Sequence, residues 1–193
     1  MAAAAIRGLG SKGVSGALKH LAANNQETNR KTVNSVVSER AVREIYLRAL
    51  EYATELSEPN AVMTAYNPLN GNWCGSNFDL VKIIRNEFGF KGIIMTDWWA
   101  MLNDTDAQNP TKENTAAMLR CGTDIYMVSK DPESNSGGDN TLKALAEGSL
   151  TLGELQRAAE NILSFILTLP CMETKKEFPC IFRKISRPFG KGR

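Results

Sequence analysis

Gly92-Ile93-Ile94-Met95-Thr96-Asp97-Trp98-Trp99 decides how the rest of the chain is read. The run Ile93-Ile94-Met95 is apolar without alternation, which fits a strand buried on both faces, the habit of parallel sheets. Parallel strands need long crossover connections, usually helices. The sequence should therefore alternate short apolar strands with amphipathic helices, and it does so on both sides of this stretch. Upstream, Gly16 to Ala23 reads as a strand ending in polar residues, followed by a polar loop, Asn24 to Ser35. Ser38 can cap a helix whose apolar positions Val42, Ile45, Tyr46, Ala49, Leu50, Ala53 and Leu56 follow a 3.6-residue period, and Pro59 blocks its continuation. Ala61 to Tyr66 is a second strand, and Asn67-Pro68-Leu69-Asn70-Gly71 is its turn. Ser76 or Asn77 caps a helix carrying Leu80, Val81, Ile84 and Phe88, which Gly89 ends. Downstream come a helix from Thr115 to Arg120 and a short strand, Asp124 to Val128. A last helix starts at Leu152, where Thr151 and Glu154 have capping-box spacing. Its apolar stripe is Leu155, Ala158, Ala159, Ile162, Phe165, Ile166 and Leu169. The order predicts an α/β fold with about four parallel strands and intervening helices. Either a small open sheet or a partial (β/α)8 TIM-type barrel, about half of one, satisfies it.

Bulk properties narrow the function. With 193 residues, 42% of them hydrophobic, the chain can build one globular core. We read residues 1–170 as that domain. Residues 171–193 read as a basic tail or linker, because between Lys175 and Arg193 there are seven basic residues and one acidic one. A net charge of +2 gives no whole-chain reason to expect nucleic acid. No apolar run reaches the roughly 20 residues that a membrane span needs. The apolar start, Met1 to Ala5, runs into Arg7 and Gly8 and is too short for a secretory signal, which leaves the location unknown and slightly favours the cytoplasm. The four cysteines are far apart and the chain has one histidine, His20, so no metal is expected and the thiols read as buried and free. No glycine fingerprint or P-loop supports a nucleotide cofactor, and none is expected.

In parallel β/α folds reactive groups gather at the carboxyl ends of strands. Three such ends are loaded here. The first offers Lys19 and His20, the second Met63 and Tyr66, the third Asp97, Trp98 and Trp99. Carboxylates, cations and imidazoles hydrogen-bond sugar hydroxyls, and aromatic rings cover the apolar C–H faces of a sugar. Each residue also has a plain structural reading. An aspartate after a strand is often a helix cap or turn residue. A lone histidine is often a satisfied structural group, a strand-end lysine is often merely solvated, and Tyr66 could be a core ring. The two indoles beside Asp97 shift the balance, since large aromatic rings are seldom left exposed without a site to line.

At these residues the sequence resembles glycoside hydrolase family 3, the group of β-glucosidases and β-xylosidases. The matching stretches are Lys19 to Glu27 through Arg30, Ser38-Glu39-Arg40 through Arg48, Val62 to Asn67 through Gly71, and Gly89 through Trp98. The resemblance runs in order from about Gly8 to Pro170. It implies a barrel domain, an exo-acting retaining hydrolysis with two carboxyl groups, and a β-linked oligosaccharide or glycoside as substrate. It makes Asp97 the nucleophile and Lys19, His20, Tyr66, Trp98, Met63 and Arg30 sugar-facing. Arg30 could equally serve only to hold its loop. The resemblance also implies barrel strands upstream of the Lys-His segment and an acid/base glutamate on a further α/β domain, neither of which matches any stretch of this sequence. The expectation is therefore a weakly active or inactive fragment. Two other readings stay open: a non-catalytic carbohydrate-binding remnant, and a plain α/β module.

Overall fold

A computed structural model describes residues 1–104, 109–128, 131, 134–169 and 172. In chain order, helix α1 (Ala2–Gly10) leads to strand β1 (Ala17–Leu21). After the polar loop come α2 (Glu39–Ala41), a π-helical segment Val42–Tyr46, α3 (Arg48–Ser57) and β2 (Ala61–Thr64). The short strands β3 (Pro68–Leu69) and β4 (Asn72–Trp73) precede α4 (Phe78–Lys82), a second π segment Ile83–Glu87 and β5 (Ile93–Met95). Helices α5 (Thr115–Cys121), α6 (Thr141–Glu147) and α7 (Leu152–Leu167) complete the described elements.

The main sheet is parallel, in the order β1-β2-β5. The fourth strand expected at Asp124–Val128 is reduced to a single parallel bridge between Met95 and Ile125. Backbone bonds still hold that segment against β5: Ile94 O accepts from Asp124 N at 2.8 Å, and Thr96 N donates to Ile125 O at 3.0 Å. Its next amide goes elsewhere, since Met127 N donates to the Thr96 hydroxyl at 2.9 Å, and this breaks the ladder. Three strands and one bridge thus replace the four strands expected, and the sheet they form is open. Gly92 sets the entry to β5. A Cβ there would lie 2.2 Å from Asn60 O, and Ile93 N donates to that same oxygen.

One face of the sheet carries Leu18, Val62 and Ile94 in register, all buried against Leu47, Leu80, Val81 and Ile84 from the helices. Fully burying one such aliphatic side chain contributes about 1.5–3 kcal/mol. The opposite face carries Ala17, Ala61 and Ile93 in one row and Met63, Met95 and Ile125 in the next; Ala61 and Ile93 are buried, Ala17 is exposed and the second row is half-buried. A second cluster forms under the later helices from Leu102, Met118, Leu119, Ala144, Leu150 and Ala158.

Capping follows the sequence. The Ser38 hydroxyl accepts from Ala41 N, Asn77 rather than Ser76 accepts from Leu80 N, and Thr151 and Glu154 form the full capping box. The helix after Ser38 departs from the expected stripe. Its π segment inserts an extra residue per turn. Burial passes from Val42 to Leu47, Ala53 and Thr54, while Ile45 and Leu56 face solvent. The stretch after Tyr66 is more than a turn. Pro68–Leu69 and Asn72–Trp73 form a hairpin closed by Asn70 and Gly71, both with positive φ, the chemistry of a tight two-residue hairpin. Helix α6 had no counterpart in the expected pattern. The α7 stripe holds in outline: Ala158 is buried, Leu155, Ile162, Phe165, Ile166 and Leu169 are half-buried, and Ala159 is exposed. Cys74 and Cys121 are buried free thiols. Burial pushes the Cys74 thiol up to about 12, which leaves it inert. Cys171, Cys180 and, Met172 apart, the basic stretch 171–193 lie outside the described residues. No described helix is long and apolar enough to cross a membrane.

Candidate active site

The strand ends meet around Asp97. Past Met95, the chain turns sharply: Ala100 N donates to Asp97 O at 3.3 Å, with Trp98 and Trp99 at the corners. Asp97 is buried, and its Oδ1 accepts from Trp98 N at 2.7 Å. Its Oδ2 lies 3.5 Å from His20 Nε2, which β1 delivers from two strands away. Burial lowers the His20 pKa below its ordinary 6.5, although the Asp97 charge pulls it upward. The imidazole is thus neutral at neutral pH and acts as a hydrogen-bonding group rather than a cation.

Tyr66, at the end of β2, is buried and donates its hydroxyl to Trp98 O at 2.8 Å. Burial first, and the Asp97 charge second, raise its phenol above the usual value, so it stays a neutral donor. Arg30 and Lys31 from the long loop each place their cationic group 5.1 Å from the Tyr66 ring centroid. That is cation–π range. Trp98 and Trp99 pack edge to face with centroids 5.6 Å apart, and both remain substantially exposed.

Asp97, His20, Tyr66, Trp98 and Arg30 therefore converge. Lys19 is exposed at the end of β1, close enough for its charge to act on His20. Met63 lies lower, across from Met95 on the open face of the sheet and one strand step before Asp97. Lys31 was not foreseen; only its place next to Arg30 in the loop pointed to it. Asn67 was not foreseen either. Its buried amide donates to Ala22 O, the Ser35 hydroxyl and Pro68 O at 3.3, 3.2 and 3.1 Å, and so ties the Arg30 loop to the end of β1. An Asn standing before a Pro in a turn was the only sequence signal. Among the described residues no cluster could hold a metal ion. The glutamate whose charge reaches His20, Glu27, is exposed and paired with Arg30 at 3.2 Å.

An aspartate held at a parallel strand end, with an imidazole, a phenol, cations and indoles around it, stands where β/α proteins gather their reactive and ligand-binding groups. The comparisons make that class specific. Residues 1–165 match the glycosyl hydrolase family 3 N-terminal domain, and the chain belongs to that family. It is 52% identical over 176 residues to a β-glucosidase of Ruminococcus albus, covering 91% of this chain and 18% of that enzyme. It is 35% identical over 162 residues to an exo-alpha-(1->6)-L-arabinopyranosidase of Bifidobacterium longum, covering 83% and 19%. Among solved structures, a β-glucosidase from Paenibacillus barengoltzii superposes with a TM-score of 0.87 at 49% identity, covering 92% of this chain and 20% of that one. Thermotoga neapolitana β-glucosidase 3B in complex with α-D-glucose gives 0.76 at 38% identity, covering 89% and 23%. The chain thus spans about a fifth of the length of these relatives.

Proposed function

We propose that this chain carries the nucleophile half of a retaining β-glucosidase site within one part of a (β/α)8 barrel. Asp97 attacks the anomeric carbon of a β-linked glucosyl unit and forms a covalent glycosyl-enzyme; the leaving-group oxygen takes a proton. Lys19, His20 and Arg30 hydrogen-bond the sugar hydroxyls. Tyr66 fixes the turn that carries the nucleophile, Trp98 covers a C–H face of the ring, and Met63 lines the floor. The observation that carries this reading is the placement of buried Asp97 at the strand end: one oxygen is fixed by Trp98 N, and the other faces His20 across 3.5 Å.

The proton for the leaving group needs a second carboxyl group. Glu27 is the other carboxylate whose charge reaches His20, and it is exposed and engaged with Arg30. The acid/base group in this reading lies outside residues 1–193, on a further α/β domain of the kind expected from the family. The chain alone then hydrolyses ordinary β-glucosides weakly or not at all. That same observation favours a second reading, a carbohydrate-binding remnant without chemistry. The two separate cleanly. A 2-deoxy-2-fluoroglucoside with an activated leaving group needs no general acid. Incubated with the chain, it is expected to add one fluoroglucosyl unit, mapped by peptide mass spectrometry to Asp97 and absent in Asp97→Ala. Sugar binding without the adduct would leave only the remnant. Brisk turnover of an unactivated β-glucoside would overturn the assignment of the acid/base group.

A further inference from the structure

The loop that carries Arg30 and Lys31 is placed by hydrogen bonds. Every residue from Asn24 to Val36 is exposed or half-buried, so apolar packing contributes little to its position. Its end runs instead as an extra strand along the hairpin β3–β4. Ser35 N donates to Pro68 O and Asn70 N donates to Ser35 O, both at 3.0 Å, across a parallel bridge between Ser35 and Leu69. Asparagine side chains extend this contact in both directions. Asn34 Oδ1 accepts from Gly71 N at 2.9 Å. The Asn70 amide pairs with Val37 as a peptide unit would: its Oδ1 accepts from Val37 N and its Nδ2 donates to Val37 O, each at 2.8 Å. Further along the hairpin, Trp73 Nε1 donates to Lys31 O at 3.4 Å, and Trp73 N donates at 2.9 Å to Asn103 Oδ1, beyond the turn that presents Asp97. The hairpin thus grips the cation loop on one side and the segment after the nucleophile on the other. Asn70 has a φ of +51° at the first position of its turn, where glycine would serve equally well. The turn therefore does not require the amide that reaches Val37.

We infer that Asn70 is a positioning residue for the sugar-binding cations: it latches the loop in the place that sets Arg30 and Lys31 over Tyr66. The inference rests on the reading of Arg30 and Asp97 given above. With the latch made, the loop is docked before a glucoside arrives. With the latch broken, the loop divides its time between docked and undocked positions, and apparent affinity falls in proportion to the docked fraction. Saturating ligand restores the docked state. Asp97 meanwhile keeps its own supports, β5 and the Tyr66 bond to Trp98 O. The latch therefore acts on binding and not on the rate of attack.

The test follows adduct formation by the full chain with a 2-deoxy-2-fluoroglucoside that has an activated leaving group, over a range of concentrations. Asn70→Gly removes both bonds to Val37 and brings no left-handed strain. It is expected to raise the half-saturating concentration about threefold to tenfold, which corresponds to a docked fraction of about one third to one tenth. The limiting rate should stay within about twofold. Asn34→Ala, which breaks only the neighbouring bond from Gly71 N, should raise the half-saturating concentration in the same direction by less. In a chain already carrying Arg30→Met and Lys31→Met, Asn70→Gly should change nothing further, because no cations remain to be positioned. An unchanged half-saturating concentration in both latch variants would overturn the inference, as would a full effect that persists without the cations. A fall in the limiting rate alone would make the hairpin a support for Asp97 and overturn it too. Each of these outcomes leaves the assignment of Asp97 standing. A wild-type chain that forms no adduct at Asp97 would overturn that assignment and this inference with it.

Discussion

Asp97 stands just past the carboxyl end of β5, and Asp124 lies beside the amino end of the same strand. Both are buried. Asp124 has every requirement met: Oδ2 accepts from Arg85 Nη2 at 2.5 Å and Ile94 N at 2.8 Å, and Oδ1 accepts from Asn161 at 2.8 Å. Asp97 has one short backbone bond, the Tyr66 phenol close by and a looser approach to His20. Burial holds Asp124 above the usual carboxylate range and Arg85 below its own, so for this pair desolvation outweighs mutual attraction. A fully satisfied carboxylate at the bottom of a sheet pins strand to helix. An incompletely satisfied one at the top keeps lone pairs for a substrate. In parallel β/α folds the two ends divide in this way between stability and chemistry.

Cutting each aspartate back to alanine is the strongest way to break the contrast. Asp124→Ala strands the Arg85 guanidinium in the interior and should lose about 3–5 kcal/mol. Asp97→Ala should lose less, about 1 kcal/mol, since it gives up one backbone hydrogen bond and strands no buried cation. Urea unfolding of both variants checks this. Comparable losses would show that Asp97 is structural after all. The double change Arg85→Met with Asp124→Leu should recover much of the first loss, because well-packed apolar groups replace buried ion pairs at little cost.

This division also explains what the sequence disclosed. Asp97 was legible because a continuous apolar run placed it at a strand end beside two indoles, and His20 and Tyr66 stood at matching ends. Those are local signals, and the sheet brought them together as expected. Asp124 read only as the first residue of a strand. Its partners Arg85 and Asn161 come from two different helical regions, and no short-range pattern links residues 39 and 37 positions apart. The π segments were invisible for a related reason. Apolar spacing assumes one constant period, and Val42–Tyr46 adds a residue that turns Ile45 outward and Leu47 inward. The fourth strand failed because apolar content cannot reveal that Met127 N would choose the Thr96 hydroxyl over a ladder partner. The role of Arg30 stayed open for want of its neighbours; the structure sets it over Tyr66 with Lys31.

Partners sharpen the comparison at smaller scale. Asn161→Leu removes the donor to Asp124 Oδ1 and leaves a buried acceptor without it, at a cost of about 1–3 kcal/mol. Tyr66→Phe removes the hydroxyl bond to Trp98 O near the rim and should cost about 0.5–1.5 kcal/mol. Its larger effect should fall on the site, as slower formation of the fluoroglucosyl adduct when the turn carrying Asp97 is no longer tethered. If Tyr66→Phe proved more destabilising than Asn161→Leu, the top of the sheet would be contributing more to stability than the bottom.

The subtlest expected effect is electrostatic and separates the two aspartates by their reach. His20 is the chain's one histidine, so a single imidazole resonance reports it in a proton NMR titration. Its pKa should lie below 6.5, because burial disfavours the charged ring more than Asp97 stabilises it. The sign for stability follows. Between the folded value and 6.5 the unfolded chain binds the proton more readily, so stability rises with pH through that window, and the full penalty is present below it. Asp124 runs the other way: its raised value makes stability fall as pH rises just above 3.8. Asp97→Asn removes the larger of the two charges that raise the His20 pKa, Glu27 being the other, and should lower that pKa further, whereas Asp124→Asn should leave it unmoved. A His20 pKa at or above 6.5, or one indifferent to Asp97→Asn, would mean that the imidazole and the carboxylate do not share a site in solution.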